Sequence, residues 1–228
     1  MTLNIRQSYS SEFEKVVDTA YFAEPRQTLY RDGAKRVLDI VLILVAALPV
    51  LLVVGVLALL IARDGASPFY RQQRIGRNGR AFSMLKLRSM VVDAENRLEA
   101  HLDADPAARA EWDATQKLKR DPRVTRIGRL IRKTSLDELP QLWNVLRGDM
   151  SIVGPRPMMP DQRSMYPGLA YYAMRPGITG YWQTSVRNDS NFAERAGYDS
   201  RYFRDLSLAT DLRVLWRTVG VVVGGTGY

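Results

Sequence analysis

VLDIVLILVAALPVLLVVGVLALLIA, residues Val37 to Ala62, decides how the rest of this 228-residue chain is read. Asp39 is its only charge, and the run exceeds the roughly 20 apolar residues that cross a bilayer as a helix. Pro49 falls near the middle, where its ring removes a backbone hydrogen bond and costs about 3 kcal/mol unless the helix bends. Basic residues flank both sides: Arg31, Lys35 and Arg36 before, and Arg63, Arg71, Arg74, Arg77 and Arg80 after. A straight span would leave one basic flank outside, against the positive-inside bias. A hairpin that enters, breaks at Pro49 and returns keeps both flanks in the cytoplasm. Each arm of about 13 residues reaches roughly 20 Å, near the midplane but not across it. An ordinary kinked transmembrane helix is the alternative. Asp39, close in sequence to Lys35 and Arg36, is expected to form an interfacial ion pair or to orient the helix, with no catalytic role.

Composition narrows the chemistry. The chain carries 33 Lys and Arg against 24 Asp and Glu, a net charge of +9, and is 46% hydrophobic. That balance predicts one domain with a real core and an anionic partner: nucleic acid, an anionic membrane surface or a phosphorylated substrate. Cysteine is absent, which excludes disulfides, thiolate catalysis and cysteine metal sites. The one histidine, His101, sits in a polar, acidic helix pattern and reads as a solvated surface residue, so histidine triads and histidine-bound zinc are not expected. Chemistry must rest on carboxylates and a hard, oxygen-liking cation.

Around the apolar run the pattern predicts a mainly α fold with a small antiparallel β-hairpin (α+β). Residues 1–30 have no apolar run, so they are not a signal peptide and read as a flexible extension. The membrane segment covers 31–63, a cytoplasmic-face domain 64–223 and a flexible tail 224–228. Within Phe69 to Met90, two alternating runs flank Asn78-Gly79, a hairpin signal. The Gly76-x-x-Gly79 spacing fits turn glycines better than a phosphate cradle. Val91 to Lys119 predicts an exposed helical pair interrupted at Asp105-Pro106. Val124 to Lys133 is an amphipathic basic helix, with Val124, Ile127, Leu130 and Ile131 opposite Arg123, Arg126, Arg129, Arg132 and Lys133, suited to the lipid headgroup layer. Given the apolar run, lipid rather than nucleic acid is its expected partner. A last helix within Leu206 to Val223 presents an apolar packing or membrane-abutting face.

The segment Ile127 to Pro157, IGRLIRKTSLDELPQLWNVLRGDMSIVGPRP, concentrates the candidate chemistry. It holds Arg129, Arg132, Lys133 and Arg147, the adjacent acids Asp137 and Glu138, a further acid Asp149, and Arg156 between Pro155 and Pro157. A carboxylate can attack phosphorus once a cation neutralises the phosphate, and fixed arginines can hold a diphosphate and its leaving group. The same acids have a local reading. Ser135 with Glu138 is a capping-box pattern, and Asp137 could itself cap the helix predicted over Leu139 to Leu146.

Leu136-Asp137-Glu138-Leu139-Pro140-Gln141-Leu142, then Asn144-Val145-Leu146-x-Gly148-Asp149-Met150-Ser151, then Val153-Gly154-Pro155-Arg156-Pro157 closely resembles the bacterial sugar transferases, the monotopic polyprenyl-phosphate phosphoglycosyltransferases. The resemblance extends from about Arg31 to Val223. It implies a monotopic protein of the bacterial inner membrane, with a re-entrant helix broken at a proline and its catalytic domain on the cytoplasmic face. The implied reaction moves a sugar 1-phosphate from a UDP-sugar to undecaprenyl phosphate, releasing UMP, at the start of capsule, exopolysaccharide or other surface glycan assembly. Larger family members carry an extra membrane domain ahead of this core, and the chain resembles the minimal form. A homo-oligomer and downstream glycosyltransferases are the further partners such a role invites.

The resemblance also implies roles. Asp137 is the expected nucleophile and Glu138 its assistant, and both are expected to hold Mg²⁺. The Lys-x-Arg-x-Met strand supplies Lys86 and Arg88 as candidate donor-phosphate contacts, with a solvated or headgroup-facing strand edge as their other reading. Arg132 would hold phosphate, and Arg156 the nucleotide or diphosphate. Asp149 would partner an arginine or form a structural salt bridge. Downstream, Arg175-Pro176-Gly177-Ile178-Thr179-Gly180-Tyr181-Trp182-Gln183 matches a family block, except that Tyr181-Trp182 departs from the commoner Trp-small order. Arg175 and Gln183 are candidates there, and Asp199, with Tyr202 after it, lies where the family has an acid near the site. Two other classes stay open: a catalytically silent membrane scaffold, which would tolerate loss of Asp137, and a basic membrane-surface or nucleic-acid-binding module, which would bind many polyanions in a salt-dependent way.

Overall fold

The computed structural model describes residues 29–115, 118–185, 192 and 194–223. The tail at 224–228 and nearly all of the expected N-terminal extension lie outside the described residues. At the end of that extension, Tyr30 opens a π-helical turn, Tyr30–Ala34, that leads into helix α1, Lys35–Ile61. Pro49 lies inside α1, which continues on both sides of it, so the two arms expected around a break are one helix. The physical reason is local: proline removes one N–H bond and crowds one carbonyl, and a bend relieves both without ending the helix. Leu44, Val45, Leu48, Leu51, Leu52 and Val56 each expose more than half of their surface, so the middle of α1 packs on little among the described residues.

The remaining elements follow the predicted order. Strands β1, Phe69–Ile75, and β2, Ala81–Leu87, pair across a short turn, which makes them antiparallel. Asn78 and Gly79 both take positive φ (59° and 73°), as a tight hairpin turn requires, and the Gly76 N–H closes the turn on Arg80 O at 2.7 Å. Helices α2, Ala94–Ala104, and α3, Pro106–Thr115, break at Asp105, whose carboxylate accepts the Ala107 and Ala108 N–H groups. Then come α4, Arg126–Lys133; a 3₁₀ turn, Leu136–Glu138; α5, Gln141–Arg147; strand β3, Ser151–Val153; α6, Ala170–Ala173; strand β4, Gly177–Thr179; α7, Arg195–Asp205; and α8, Leu208–Val223. Strands β3 and β4 pair in parallel, a second small sheet that the sequence did not predict. Each is only three residues long, too short for an alternating pattern to register.

Two units divide the chain. One comprises the residues up to Ile43, Gln73–Ser83 and Asn144–Thr218. The other comprises Leu44–Gln72, Met84–Trp143 and Val219 onward.

In the first unit, Asp211 is 1% exposed and accepts hydrogen bonds from the Tyr30 hydroxyl (2.6 Å), Lys35 Nζ (2.5 Å) and the Tyr202 hydroxyl (2.6 Å). The Asp39 carboxylate accepts from Ser151 Oγ at 2.8 Å and the Ile152 N–H at 3.1 Å, while Arg36 donates to the carbonyls of Val145 and Leu146 at the end of α5. The ion pair expected between Asp39 and its basic neighbours is therefore replaced: Asp39 binds β3, Lys35 binds Asp211, and Arg36 caps a helix. A helix projects residues three and four apart onto one face but cannot say what waits opposite. Gly177 permits the β3–β4 approach, since a Cβ there would lie 2.1 Å from Gly154 N.

The second unit is built on Leu57 and Ile61 of α1, Leu87 of β2 and Ile131 of α4, with Val54, Ala58, Ile127 and Leu136 packed around them. The apolar face of α4 is thus largely covered by protein: Ile131 is fully buried and Ile127 partly so, while Leu130 stays exposed. Of the apolar residues expected to meet lipid on this helix, Leu130 alone keeps an exposed side chain. Arg126, Arg129 and Lys133 are exposed beside it, on the side away from Ile127 and Ile131.

Candidate active site

Thr125 caps α4, its hydroxyl accepting the Gly128 N–H at 2.8 Å. The chain leaves the helix through Ser135, a left-handed residue (φ 56°, ψ 19°), and enters the 3₁₀ turn that carries Asp137 and Glu138. That sharp reversal argues against the capping reading of these acids. Ser135 makes no side-chain cap, α5 begins only at Gln141, and both acids meet Lys86 of β2. Lys86 Nζ donates to Glu138 Oε1 at 2.8 Å and lies 3.6 Å from Asp137 Oδ2. All three side chains are largely shielded from water.

Asp137 is 8% exposed, and its carboxyl is pushed above the usual carboxylate range. Burial is the main cause; Lys86 opposes it, the Glu138 charge adds to it, and Arg132 opposes it again. Arg132 is itself partly buried, with Nε donating to Ser89 Oγ at 2.8 Å, and burial lowers its pKa against the stabilising charges of Asp137 and Asp121. Asp121 in turn binds Arg123 through a two-pronged contact, 2.9 and 2.7 Å, and Arg123 lies over the Trp112 ring. The arrangement is a partly desolvated acid pair faced by two cations, suited to receive further negative charge beside a carboxylate.

Arg88 is engaged elsewhere. It grips Asp64 with two 2.6 Å bonds and donates to Ser67 O at 2.7 Å and Ile61 O at 3.3 Å, so it clamps the exit of α1. Period-two alternation in the sequence would put Lys86 and Arg88 on one face, but β2 ends at Leu87 and Arg88, one residue past it, reaches the turn holding Asp64. The structure therefore brings together Asp137, Glu138, Lys86 and Arg132, and directs Arg88 to a structural contact.

The other sequence candidates belong to the first unit. Pro155 O accepts the Gly177 N–H at 2.7 Å and Pro157 O accepts from Arg74 at 3.4 Å, which holds both ends of Pro-Arg-Pro. Arg156 lies 5.7 Å from the Trp182 ring centroid, and Arg195 lies 5.1 Å from the same ring. Arg195 also donates to Arg156 O at 2.8 Å. Trp182 lies in the Arg175-to-Gln183 block singled out in the sequence, whereas Arg195 does not stand out there; its only signal is its place four residues before Asp199 on one helix. Arg175 Nε donates to Gly148 O at 2.9 Å, and Gln183 is buried beside Gly180. Asp149 pairs with Arg147 at 3.6 Å and accepts from Asn144 at 3.3 Å, the structural salt bridge among its two readings. Asp199 is buried, accepts from the Tyr166 hydroxyl, and is pushed up to about 6 by that burial, partly offset by Tyr166 and Arg195. Tyr202 packs in the core and holds Asp211.

No group of three or more His, Cys, Asp or Glu among the described residues is placed to hold a metal. The pair Asp137 and Glu138 still fits magnesium's habit of taking one or two carboxylates together with substrate phosphates. Such an ion would be a partner of the bound diphosphate and not a resident of a protein cage.

The acid pair, faced by lysine and arginine, lies in a chain with one long apolar helix among the described residues, and the family model of the bacterial sugar transferases matches residues 30–225. The chain belongs to that family. It is 50% identical over 198 residues to the UDP-galactose-lipid carrier transferase of Erwinia amylovora and 47% identical over 198 residues to the undecaprenyl-phosphate galactose phosphotransferase of Salmonella typhimurium, covering 85% of this chain and 41% of each relative. It is 44% identical over 194 residues to the exopolysaccharide production protein ExoY of Sinorhizobium fredii, covering 83% of this chain and 85% of that protein. The chain thus spans about two fifths of the length of the first two relatives.

Proposed function

We propose that the chain transfers a sugar 1-phosphate from a UDP-sugar to undecaprenyl phosphate, yielding undecaprenyl-diphosphate-sugar and UMP, as the first membrane step of exopolysaccharide, capsule or other surface glycan synthesis. The observation that carries this reading is the buried Asp137 beside Lys86 and Arg132, in a member of a family whose relatives are named for sugar-phosphate transfer to a lipid carrier.

In this reading Asp137 attacks the phosphorus that bears the sugar. A carboxylate O–P bond forms, the bond to the UMP phosphate breaks, and UMP leaves with the electron pair. A phosphate oxygen of undecaprenyl phosphate then attacks the same phosphorus and displaces Asp137. Two like charges at close range repel by about 4 kcal/mol at an effective dielectric of roughly 20, so the approach of carboxylate to diphosphate needs cations. Lys86 and Arg132 favour the ionised, nucleophilic form of Asp137 against its burial. Glu138 draws Lys86 into place through the 2.8 Å bond. Mg²⁺, held by Asp137 and Glu138 with the diphosphate, would add Lewis-acid neutralisation of phosphate charge. Arg156, its backbone restrained by two prolines and by Arg195, is the candidate contact for the nucleotide or diphosphate.

The membrane placement is part of the proposal. The middle of α1 is exposed and apolar, whereas Arg36 and Asp39 near its start and Leu57 and Ile61 near its end are bound to folded protein. The exposed apolar middle with Pro49 inside it, between basic flanks on both sides, supports re-entry from the cytoplasmic face of the inner membrane.

The deciding experiment measures UMP release from a panel of UDP-sugars with Mg²⁺ and undecaprenyl phosphate. Release with one sugar, lost in Asp137→Asn, supports the reading and names the donor. Folded protein that releases no UMP from any donor overturns it in favour of a scaffold.

A further inference from the structure

We infer that Ser89, which lies outside the reacting groups, is a positioning residue that holds the two cations of the site in one frame. This inference rests on the transfer reaction proposed above. Lys86 stands on β2 and Arg132 on α4, with helices α2 and α3 between them in the chain, so something other than sequence proximity must set their spacing. Ser89 is the joint.

Three contacts converge on it. Its carbonyl accepts the Thr125 N–H at 3.1 Å, just where α4 is capped, and the neighbouring Met90 bridges Val124 as in a short antiparallel ladder. Gly128, in the first turn of α4, lies so close that a Cβ would stand 1.9 Å from Ser89 O. One turn further along the same helix face, Arg132 Nε donates to Ser89 Oγ at 2.8 Å. Ser89 is 9% exposed, so the hydroxyl meets Arg132 with little competition from water.

The consequence is directional. A guanidinium bound through Nε has its side-chain torsions restrained and its terminal nitrogens aimed, whereas an unbound one samples many rotamers. Ser89 therefore sets where Arg132 meets a phosphate relative to Lys86, without touching substrate itself. Misplacing a binding group by a fraction of an ångström lowers the rate of a positioned reaction by roughly tenfold or more.

The test pairs two readouts on Ser89→Ala and Ser89→Thr in the full chain in nanodiscs. The first is hydrogen exchange at the Arg132 side-chain Nε–H, observed by nitrogen-15 NMR. Faster exchange in Ser89→Ala, with protection restored in Ser89→Thr, is expected, and unchanged exchange in Ser89→Ala overturns the positioning role whether or not the protein is a transferase. The second is a double-mutant cycle on UMP release with Arg132→Lys. Ser89→Ala is expected to lower kcat by about tenfold with the thermal midpoint held, and to have little further effect once Arg132 is replaced. Fully additive losses overturn the inference. A wild type that releases no UMP fails the proposed function, while the exchange readout still decides the placement of Arg132.

Discussion

Lys86 Nζ stands 2.8 Å from Glu138 Oε1, a direct hydrogen-bonded ion pair between a strand and a turn 52 residues apart. Asp137, at 3.6 Å, shares that ammonium less closely. In the proposed reaction the asymmetry gives the two acids different work: Glu138 anchors the lysine, and Asp137, less tightly paired, is the acid left to attack.

Substitutions should separate those roles. With Asp137 as the proposed nucleophile, Asp137→Asn should lower UMP release by about 10³-fold or more, whereas Glu138→Gln should lower it by about 10²-fold. Single-turnover assays with radiolabelled UDP-sugar distinguish them, because only Asp137→Asn should abolish the covalent sugar-phosphate adduct. An adduct surviving in that variant would place the nucleophile elsewhere.

The acid limb of the rate profile should report on Asp137. In the proposed reaction its reactive form is the carboxylate, and burial raises its pKa, so activity should fall as pH drops through that raised value. Lys86 lowers the pKa, so Lys86→Met should move the limb to higher pH. The check is kcat/KM measured across the acid range for both proteins; a limb that stays in place would remove Lys86 from the electrostatics.

Asp199 makes a separate prediction about stability. Its folded-state pKa is raised to about 6, so the folded protein holds the proton longer than the unfolded chain does. The stability from this group is full below its unfolded pKa and is lost as pH rises through about 6. The loss should be on the order of 3 kcal/mol, since raising a carboxyl pKa by one is worth about 1.4 kcal/mol. Thermal unfolding of wild type and Asp199→Asn at several pH values should show the wild type losing more between roughly pH 4 and 7, the interval over which the unfolded and then the folded carboxyl ionises. Parallel curves would argue against a protonated Asp199.

Gly128→Ala should destabilise the protein by about 1–3 kcal/mol, because the added Cβ meets Ser89 O with no flexible atom to yield. Denaturant unfolding gives the magnitude. Alanine tolerated at no cost would mean that α4 does not pack against Ser89.

The absence of cysteine makes membrane topology directly measurable. Cysteines placed singly at Gly33 and Arg63, on either side of α1, should both react with an impermeant maleimide from the cytoplasmic face. In Pro49→Leu a bend at this position would lose its cause, and the second site should become protected or label from the far face. Opposite-side labelling in the wild type would make α1 a simple span.

Much of the molecule was legible in local patterns. Asn78-Gly79 forecast the hairpin because positive φ at two successive residues is a short-range demand that few residue pairs meet. Asp105-Pro106 forecast the break between α2 and α3 because the residue before a proline is driven out of the helical region. The capping-box reading of Ser135 and Glu138 failed because that motif is defined by spacing alone, and spacing cannot reveal that Ser135 turns left-handed and that Lys86 waits opposite. Arg88 shows the same limit, since two cations two residues apart look equivalent in sequence until Asp64 claims one of them.

The apolar helix, the hairpin, the absence of cysteine and the family are all written in runs of neighbouring residues, so the chain's order was enough to read them. Which partner each charge takes depended on folding: Asp39 with Ser151 and Ile152, Arg88 with Asp64, Arg132 with Ser89, and Lys86 with Asp137 and Glu138. The reason is that a charge in a chain with 33 cations and 24 acids has many possible mates, and burial selects among them by making unpaired charges costly.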